Sequence, residues 1–314
     1  MRQIDIMEIG GFKIGHAQDL EAGTGCSVFL FDEITPVGID LRGGGCATRE
    51  THLLHPLSAA QGIHAILLAG GSAFGLDASG GVMEFLEERE IGVKVGDIAV
   101  PLVCQSGLFD LAVGCSYIRP DKAMGYKACE NATDTTFTGG NVGAGTGCTV
   151  GKVLGMEFAT KTGIGSYAIQ VGDIKIGAVV ALNALGDIYD GRQQIAGMLN
   201  EDKNGLRSCQ NELLNITELL SSQNTTLAVI ATNTTFSKAE LCKISGVAQN
   251  GFAKAISPVH TSADGDTIYT ASCGYVKADL NIVASLAAHV TEKAIINAVY
   301  TAEPAYGFIS KNTL

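Results

Sequence analysis

Tryptophan is absent from this 314-residue chain, and charged residues make up only 17% of it. So few charges argue against a disordered polypeptide. The 40 glycines, with no tryptophan, predict tight turns and close backbone approaches. Basic residues are outnumbered, 21 against 32 acidic ones, for a net charge of −11 and a pI near 5.0. That balance disfavours binding to nucleic acid or an anionic membrane by bulk electrostatics. No C-x-x-C occurs, and the nine cysteines are odd in number and widely spaced. This excludes a disulfide framework and a zinc knuckle and predicts reduced thiols in a cytoplasmic protein. H-E-x-x-H is missing too. His52 and His55 lie three apart with no third ligand nearby in sequence, so no metal site is expected. Met1–Asp5 lacks a basic start leading into an apolar core, so no signal peptide is expected. The sequons at Asn131, Asn215, Asn224 and Asn233 are then expected to stay unglycosylated. No apolar run reads as long enough to cross a bilayer. No internal repeat is visible.

What is present suffices for one large domain: hydrophobic content is 46% and the mean hydropathy is +0.24. Strands are expected at Cys26–Phe31 and Val37–Leu41 with Asp32-Glu33 near the turn, and at His64–Leu68. Thr48–Thr51 reads as a helix start, and Asp77–Arg89 as a helix. Ser166–Val171 and Lys175–Leu182 read as paired strands across Gly172-Asp173, and Ile188-Tyr189 as the start of another. Glu201–Gln223 turns polar and is the candidate linker, with an exposed helix over Glu212–Leu220. Beyond it come a strand (Thr226–Ala231), a helix (Lys238–Ile256), a loop (Ser257–Gly265), a strand (Thr267–Ser272) and an alanine-rich helix (Leu280–Thr301). The last helix is apolar around much of its girth and is expected to pack on a sheet.

Several motifs suggest chemistry. Gly140–Gly147 superficially matches a dinucleotide loop, but lacks the preceding strand and the following acidic residue; a loop lining a substrate pocket, through Gly143 and Gly145, fits better. Gly71-Ser72-Ala73-Phe74 resembles a nucleophile elbow, yet Phe74 stands where the elbow needs glycine. Most informative is Asn224-Thr225-Thr226-Leu227, where a polar segment ends at a threonine that opens a β-branched run. About forty residues on lies Asp264-Gly265-Asp266. A threonine opening a strand is ordinary by itself, as is a D-G-D turn. A cut before Thr225, however, would put a hydroxyl and a new α-amine on one residue, a nucleophile with its own base.

The company these residues keep gives the pattern its meaning. Arg49-Glu50-Thr51 after a glycine run, Gly70–Ala78, Arg119-Pro120-Asp121 with Met124-Gly125-Tyr126, Asn141–Gly147, Asn224–Leu227 and Asp264-Gly265-Asp266 occur in that order. Across nearly its whole length the chain resembles the L-aminopeptidase/D-esterase family, which includes β-peptidyl aminopeptidases and endo-type nylon-oligomer (6-aminohexanoate oligomer) hydrolases. The resemblance implies an α/β fold, a four-layer α/β/β/α sandwich of N-terminal-nucleophile type. It also implies one domain over 1–314 that cuts itself between Asn224 and Thr225 into chains 1–224 and 225–314, which share one core. Thr225 would be the nucleophile. Asp264 and Asp266 would orient and charge-balance its amine, Asn183 would serve the oxyanion hole, and Lys152 would lie near the nucleophile. Threonine and Asp-Gly-Asp are closer to the nylon-oligomer hydrolases than to the serine aminopeptidases. Phe109 holds the place of an oxyanion tyrosine of some aminopeptidases and has no hydroxyl; a backbone N–H could take over.

By resemblance the protein is an amide-bond hydrolase acting on a small peptide or oligo-amide, without metal or organic cofactor, as a homo-tetramer or larger assembly in the cytoplasm. Neither nucleic acid nor membrane is an expected partner. Two alternatives stay open: an acyltransferase of the ornithine acetyltransferase type, and a non-catalytic relative that is never cut. The substrate stays open among α-peptides, β-peptides, D-amino-acid esters and ω-amino-acid oligomers, as does exo against endo attack.

Overall fold

A computed structural model of the chain describes residues 1–217 and 223–314. Its two main sheets use eleven strands. In chain order these are β1 (Arg2–Ile4), β2 (Phe12–Asp19), β3 (Thr24–Thr35), β4 (Val37–Leu41), β5 (Ala47–Arg49), β6 (Ile63–Ala69), β7 (Val103–Gly107), β8 (Ile164–Val171), β9 (Ile174–Asn183), β10 (Thr225–Thr234) and β11 (Thr267–Val276). The first sheet runs β1-β8-β9-β10-β11-β4, and the second β2-β3-β6-β7-β5. Each contains one parallel pair, β10 with β11 and β6 with β7. Four longer helices accompany them: α1 (Ala78–Glu87), α2 (Lys122–Glu130), α3 (Lys238–Ala255) and α4 (Leu280–Tyr300).

The period-two alternation of strand side chains generates the layers. On β9 and β10, Ala178, Val180, Ala228 and Ile230 point to one face, where they meet Leu241, Ala248 and Phe252 of α3 and Val290 and Ala294 of α4. The intervening Val179, Ala181, Leu227 and Val229 point the other way, onto Phe12, Phe29, Ile66 and Leu68 of the second sheet. The far face of that sheet, with Val28, Ala65 and Leu67, packs on Val82 and Leu86 of α1 and Ala128 of α2. The order is therefore α/β/β/α, the expected sandwich. Both central sheets are buried on both faces, which explains their continuous apolar runs. Gly165 shows why small residues matter: a Cβ there would lie 2.2 Å from the Ala298 nitrogen of α4. The helix can approach the sheet only because that atom is missing.

Four expectations change. Cys26–Phe31 and Val37–Leu41 are strands, but they do not turn into each other at Asp32-Glu33. β3 continues to Thr35, and the chain crosses at Pro36 into the other sheet. Thr48–Thr51 does not start a helix: Ala47–Arg49 pairs with β7, Glu50 turns left-handed (φ 59°), and only a short 3-10 turn follows at Thr51–Leu54. The linker is anchored at its start. Its helix is Cys209–Leu213, and the buried Asp187 carboxylate accepts the Cys209 N–H at 2.6 Å. The remainder of the expected 212–220 helix turns at Leu214-Asn215 and then passes outside the described residues. Finally, α4 is long and apolar enough to cross a membrane, with mean hydropathy 1.3 over its best window. Its apolar side here serves as the outer layer, on β8 and β9.

Candidate active site

β10 starts at Thr225, in the middle of the first sheet and at the end of its strand. On one side Thr225 pairs with Asn183, the last residue of β9. On the other, the parallel partner β11 is entered through the loop that carries Asp264, Gly265 and Asp266. The sheet register therefore brings together three stretches far apart in sequence. The Gly43–Gly45 segment covers them: the Gly45 N–H donates to the Asp264 carbonyl at 2.9 Å, and the Arg42 N–H to that of Asp266 at 2.8 Å.

Asn224 is held as a strand residue by the acidic loop. Its N–H donates to the Ala263 carbonyl at 2.9 Å, and its own carbonyl accepts the Gly265 N–H at 2.8 Å. The Thr225 hydroxyl donates to the same Asn224 carbonyl oxygen. Asn224 and Thr225 are both buried. Among the described residues, the side-chain amide of Asn224 has no hydrogen-bond partner for its oxygen or its nitrogen, an expensive arrangement for a buried polar group. Glycine is required at 265, because a Cβ would stand 2.7 Å from the Thr225 Oγ and 2.8 Å from the Gly45 carbonyl oxygen.

The carboxylates face different partners. Asp264 accepts the Thr261 hydroxyl at 2.6 Å and the Thr261 N–H at 3.0 Å, with the Leu185 N–H at 3.4 Å on its other oxygen. Burial, and then the neighbouring charge of Asp266, raise its pKa above the ordinary carboxylate value. Asp266 accepts the Thr226 N–H at 2.9 Å on one oxygen. On the other it accepts the His260 N–H at 3.2 Å and meets the His260 ring Nδ1 at 2.8 Å.

Lys152 is buried and donates to both the main-chain and side-chain oxygens of Asn183, at 3.0 Å each. Burial pushes its pKa down to about 7, against the opposing pull of Cys148, Asp264 and Asp110. Near neutrality a substantial fraction of such an ammonium is deprotonated. Asn183 also takes the Thr149 N–H on its Oδ1 at 3.1 Å, and its amide nitrogen donates to the Phe109 carbonyl at 2.7 Å. Phe109 thus borders the cluster through its main chain.

The structure brings Thr225, Asn224, Asn183, Lys152, Asp264, Asp266 and Phe109 together. Gly143 and Gly145, expected to line the substrate pocket, are not part of it. A Cβ on Gly143 would strike Ser27 and His16, and one on Gly145 would strike Ile164 and Gly140. They pack a 3-10 turn against the sheets, and no nucleotide-type helix follows. Ser72 is left-handed (φ 55°), and its hydroxyl meets no histidine or carboxylate among the described residues. The His52 and His55 rings stack at 5.6 Å, and among the described residues no group of three or more metal-ligating side chains occurs. Sequence reasoning missed His260 and Gly265. The signal was available as a histidine-threonine pair just ahead of the D-G-D turn, but only the folded loop shows what each one caps.

Comparison with known proteins agrees with this geometry. The model of peptidase family S58 matches residues 5–313. An uncharacterized aminopeptidase of Mycobacterium leprae is 38% identical over 295 residues, covering 87% of this chain and 79% of the relative. The 6-aminohexanoate-oligomer endohydrolase of Paenarthrobacter ureafaciens is 30% identical over 276 residues, covering 85% and 74%. Among solved structures, the L-aminopeptidase D-Ala-esterase/amidase of Ochrobactrum anthropi, a variant of the Ntn hydrolase fold, superposes with a TM-score of 0.76 at 17% identity. That match covers 96% of this chain and 87% of the other. The β-aminopeptidase of a Burkholderia species gives 0.69 at 16% identity, covering 98% and 91%. A two-sheet sandwich with helices on both outer faces and a match along nearly the whole sequence lead to one conclusion: the chain belongs to peptidase family S58 and has the Ntn hydrolase fold.

Proposed function

We propose that this protein cuts itself between Asn224 and Thr225 and then hydrolyses amide bonds of small peptides or oligo-amides, with Thr225 as nucleophile. The observation that carries this reading is the contact of the Thr225 hydroxyl with the very carbonyl that precedes it, while the Gly265 N–H donates to that same carbonyl oxygen. In self-cleavage the Thr225 Oγ attacks the Asn224 carbonyl carbon. Charge develops on the carbonyl oxygen, where Gly265 already supplies a donor. Lys152, part-neutral near pH 7 and one ladder pair away through Asn183, accepts the hydroxyl proton and returns it to the leaving Thr225 nitrogen. The peptide bond becomes an ester between Asn224 and the Thr225 oxygen. Water then opens the ester, leaving a carboxylate on Asn224 and a free amine on Thr225.

In the mature enzyme that amine takes over as base for its own hydroxyl. Asp266 and Asp264 orient it. The substrate carbonyl replaces that of Asn224, and its developing charge is shared between Gly265 N–H and the amide hydrogen of Asn183 that Phe109 does not use. The backbone donor at Gly265 answers the missing hydroxyl at Phe109. The relatives named as aminopeptidase and as oligomer endohydrolase support an amide substrate. The buried Asn224 also requires the new chain end to withdraw before substrate can enter.

Intact mass under denaturing conditions tests the first half. Two species matching 1–224 and 225–314 are expected; a single species that persists on long incubation overturns it. Hydrolysis of aminoacyl p-nitroanilides and 6-aminohexanoate oligomers tests the second. Activity that survives Thr225→Ala would remove Thr225 from the mechanism.

A further inference from the structure

His260 lies outside every role assigned above, yet its placement is specific. It opens the acidic loop in the left-handed region (φ 57°), a conformation uncommon outside glycine and one that histidine tolerates better than most residues. Its ring stacks on Phe252 of α3 at 6.0 Å and 26°. The ring Nδ1 is 2.8 Å from the Asp266 Oδ2, and the His260 main-chain N–H reaches the same oxygen at 3.2 Å. The other oxygen, Oδ1, takes the Thr226 N–H, directly after the nucleophile. Asp266 is therefore clamped from two sides, by the nucleophile strand and by His260.

Among the described residues, Nε2 is buried and has no hydrogen-bond partner, and the ring's polar contact is Asp266. The Nδ1–H tautomer follows from that bond.

We propose that His260 is a positioning residue, whose ring, braced on Phe252, fixes the carboxylate plane of Asp266 so that one oxygen stays directed at the nucleophile strand. This rests on Thr225 being the nucleophile. The role resembles that of a carboxylate behind a catalytic histidine with the partners exchanged: here the histidine orients the acid, and the acid serves the amine. Other titratable groups face Asp266. Asp264 adjoins it on the loop, the Cys46 thiol lies 3.8 Å from its main-chain oxygen, and Lys152 lies beyond Asp264. All stay in place when His260 alone is changed.

The test uses two substitutions in the full chain. His260→Gly removes the ring without backbone strain, since glycine accepts positive φ. His260→Asn keeps a donor at the Nδ1 position and also tolerates that φ. Self-cleavage rate and turnover are measured for both, with Thr225→Ala in parallel. His260→Gly is expected to lower both rates by about 10–100-fold, as loss of an outer-shell orienting partner does, with KM unchanged. His260→Asn restores most of the rate. A His260→Gly protein with normal rates overturns the proposal, as does a His260→Asn protein as slow as His260→Gly. Should His260→Gly not fold, the Asn variant still decides, because only a positioning donor predicts its recovery. An active Thr225→Ala protein would instead sink the nucleophile reading itself.

Discussion

Two buried carboxylate sites in this molecule look alike in sequence and behave differently in structure. Each lies beside a strand end near a glycine, Asp110 just past the end of β7 and Asp266 just before the start of β11. Asp110 accepts the Thr24 hydroxyl at 2.7 Å and the Gly71 N–H at 2.7 Å, which ties the Gly70–Ser72 turn to the second sheet. Burial raises its pKa to about 6. Among the described residues, no polar group hydrogen-bonded to Asp110 is left unsatisfied, whereas around Thr225 the Asn224 amide, the Thr226 hydroxyl and the His260 Nε2 are buried without partners. The first network is closed, whereas the second leaves buried polar atoms beside the Thr225 hydroxyl, the arrangement on which the proposed self-cleavage rests. The sequence already set Ser72 aside, because Phe74 stands where an elbow needs glycine, and pointed to Thr225; the two hydrogen-bond environments differ in the same sense.

The largest expected break in this contrast is Thr225→Ala. It should leave one full-length chain and lower amide hydrolysis by more than about 10³-fold, read by intact mass and turnover, as for loss of a catalytic nucleophile. Gly265→Ala comes next. Its Cβ would press on the Thr225 Oγ and displace the N–H that faces the Asn224 carbonyl, so the proposed self-cleavage should slow by about 10²–10³-fold. A time course of precursor loss measures it.

A pH test follows from Lys152. Its folded pKa, about 7, lies below the ordinary lysine value. Between the two values the unfolded chain binds more protons than the folded one, so stability rises with pH across that window. Below about 7 both states carry the proton, and the full penalty of the buried cation remains. Lys161, pushed down to about 8 by burial, adds the same sign. Urea unfolding at successive pH values should show this rise, and Lys152→Met should flatten it; an equal slope in both proteins would contradict the buried neutral amine.

Asp110→Asn should act on stability alone, costing about 1–3 kcal/mol through its two buried donors, with self-cleavage at its normal rate. Slower cleavage would blur the line between the two sites. The smallest effect is Ser72→Gly. Relief of the left-handed backbone at φ 55° should stabilise the protein by about 0.5–1 kcal/mol, seen in the unfolding midpoint, with turnover unchanged.

Much of this was legible beforehand. The alternating runs of β9, β10 and β11 and the amphipathic spacing of α1 and α3 are local patterns, and they formed where the pattern pointed. Thr225, Asn224, Asp264 and Asp266 stood out as ordered motifs, and Asn183 and Lys152 came with them. Less local features failed. β3 and β4 are neighbours in sequence, yet a crossing at Pro36 sends them to different sheets, since both faces of each sheet needed cover. The short β5 read as a helix start because three residues carry too little periodicity to decide. Gly143 and Gly145 looked like a ligand loop, because a glycine that makes room for backbone and one that makes room for substrate are identical in sequence.

The sequence by itself determined the acidic charge balance and most strand and helix segments, because propensity and periodicity act over a few residues at a time; the layered α/β/β/α order and the roles of the site residues were expected only through the resemblance to a known family. Only the tertiary structure decided that Asn224 is gripped by the loop of Asp264, that Gly265 aims its N–H at the Asn224 carbonyl, and that His260 meets Asp266. The first two contacts join residues about forty positions apart beside a parallel pair of strands and the third closes within the loop, and their directions exist only once the sheet register is set.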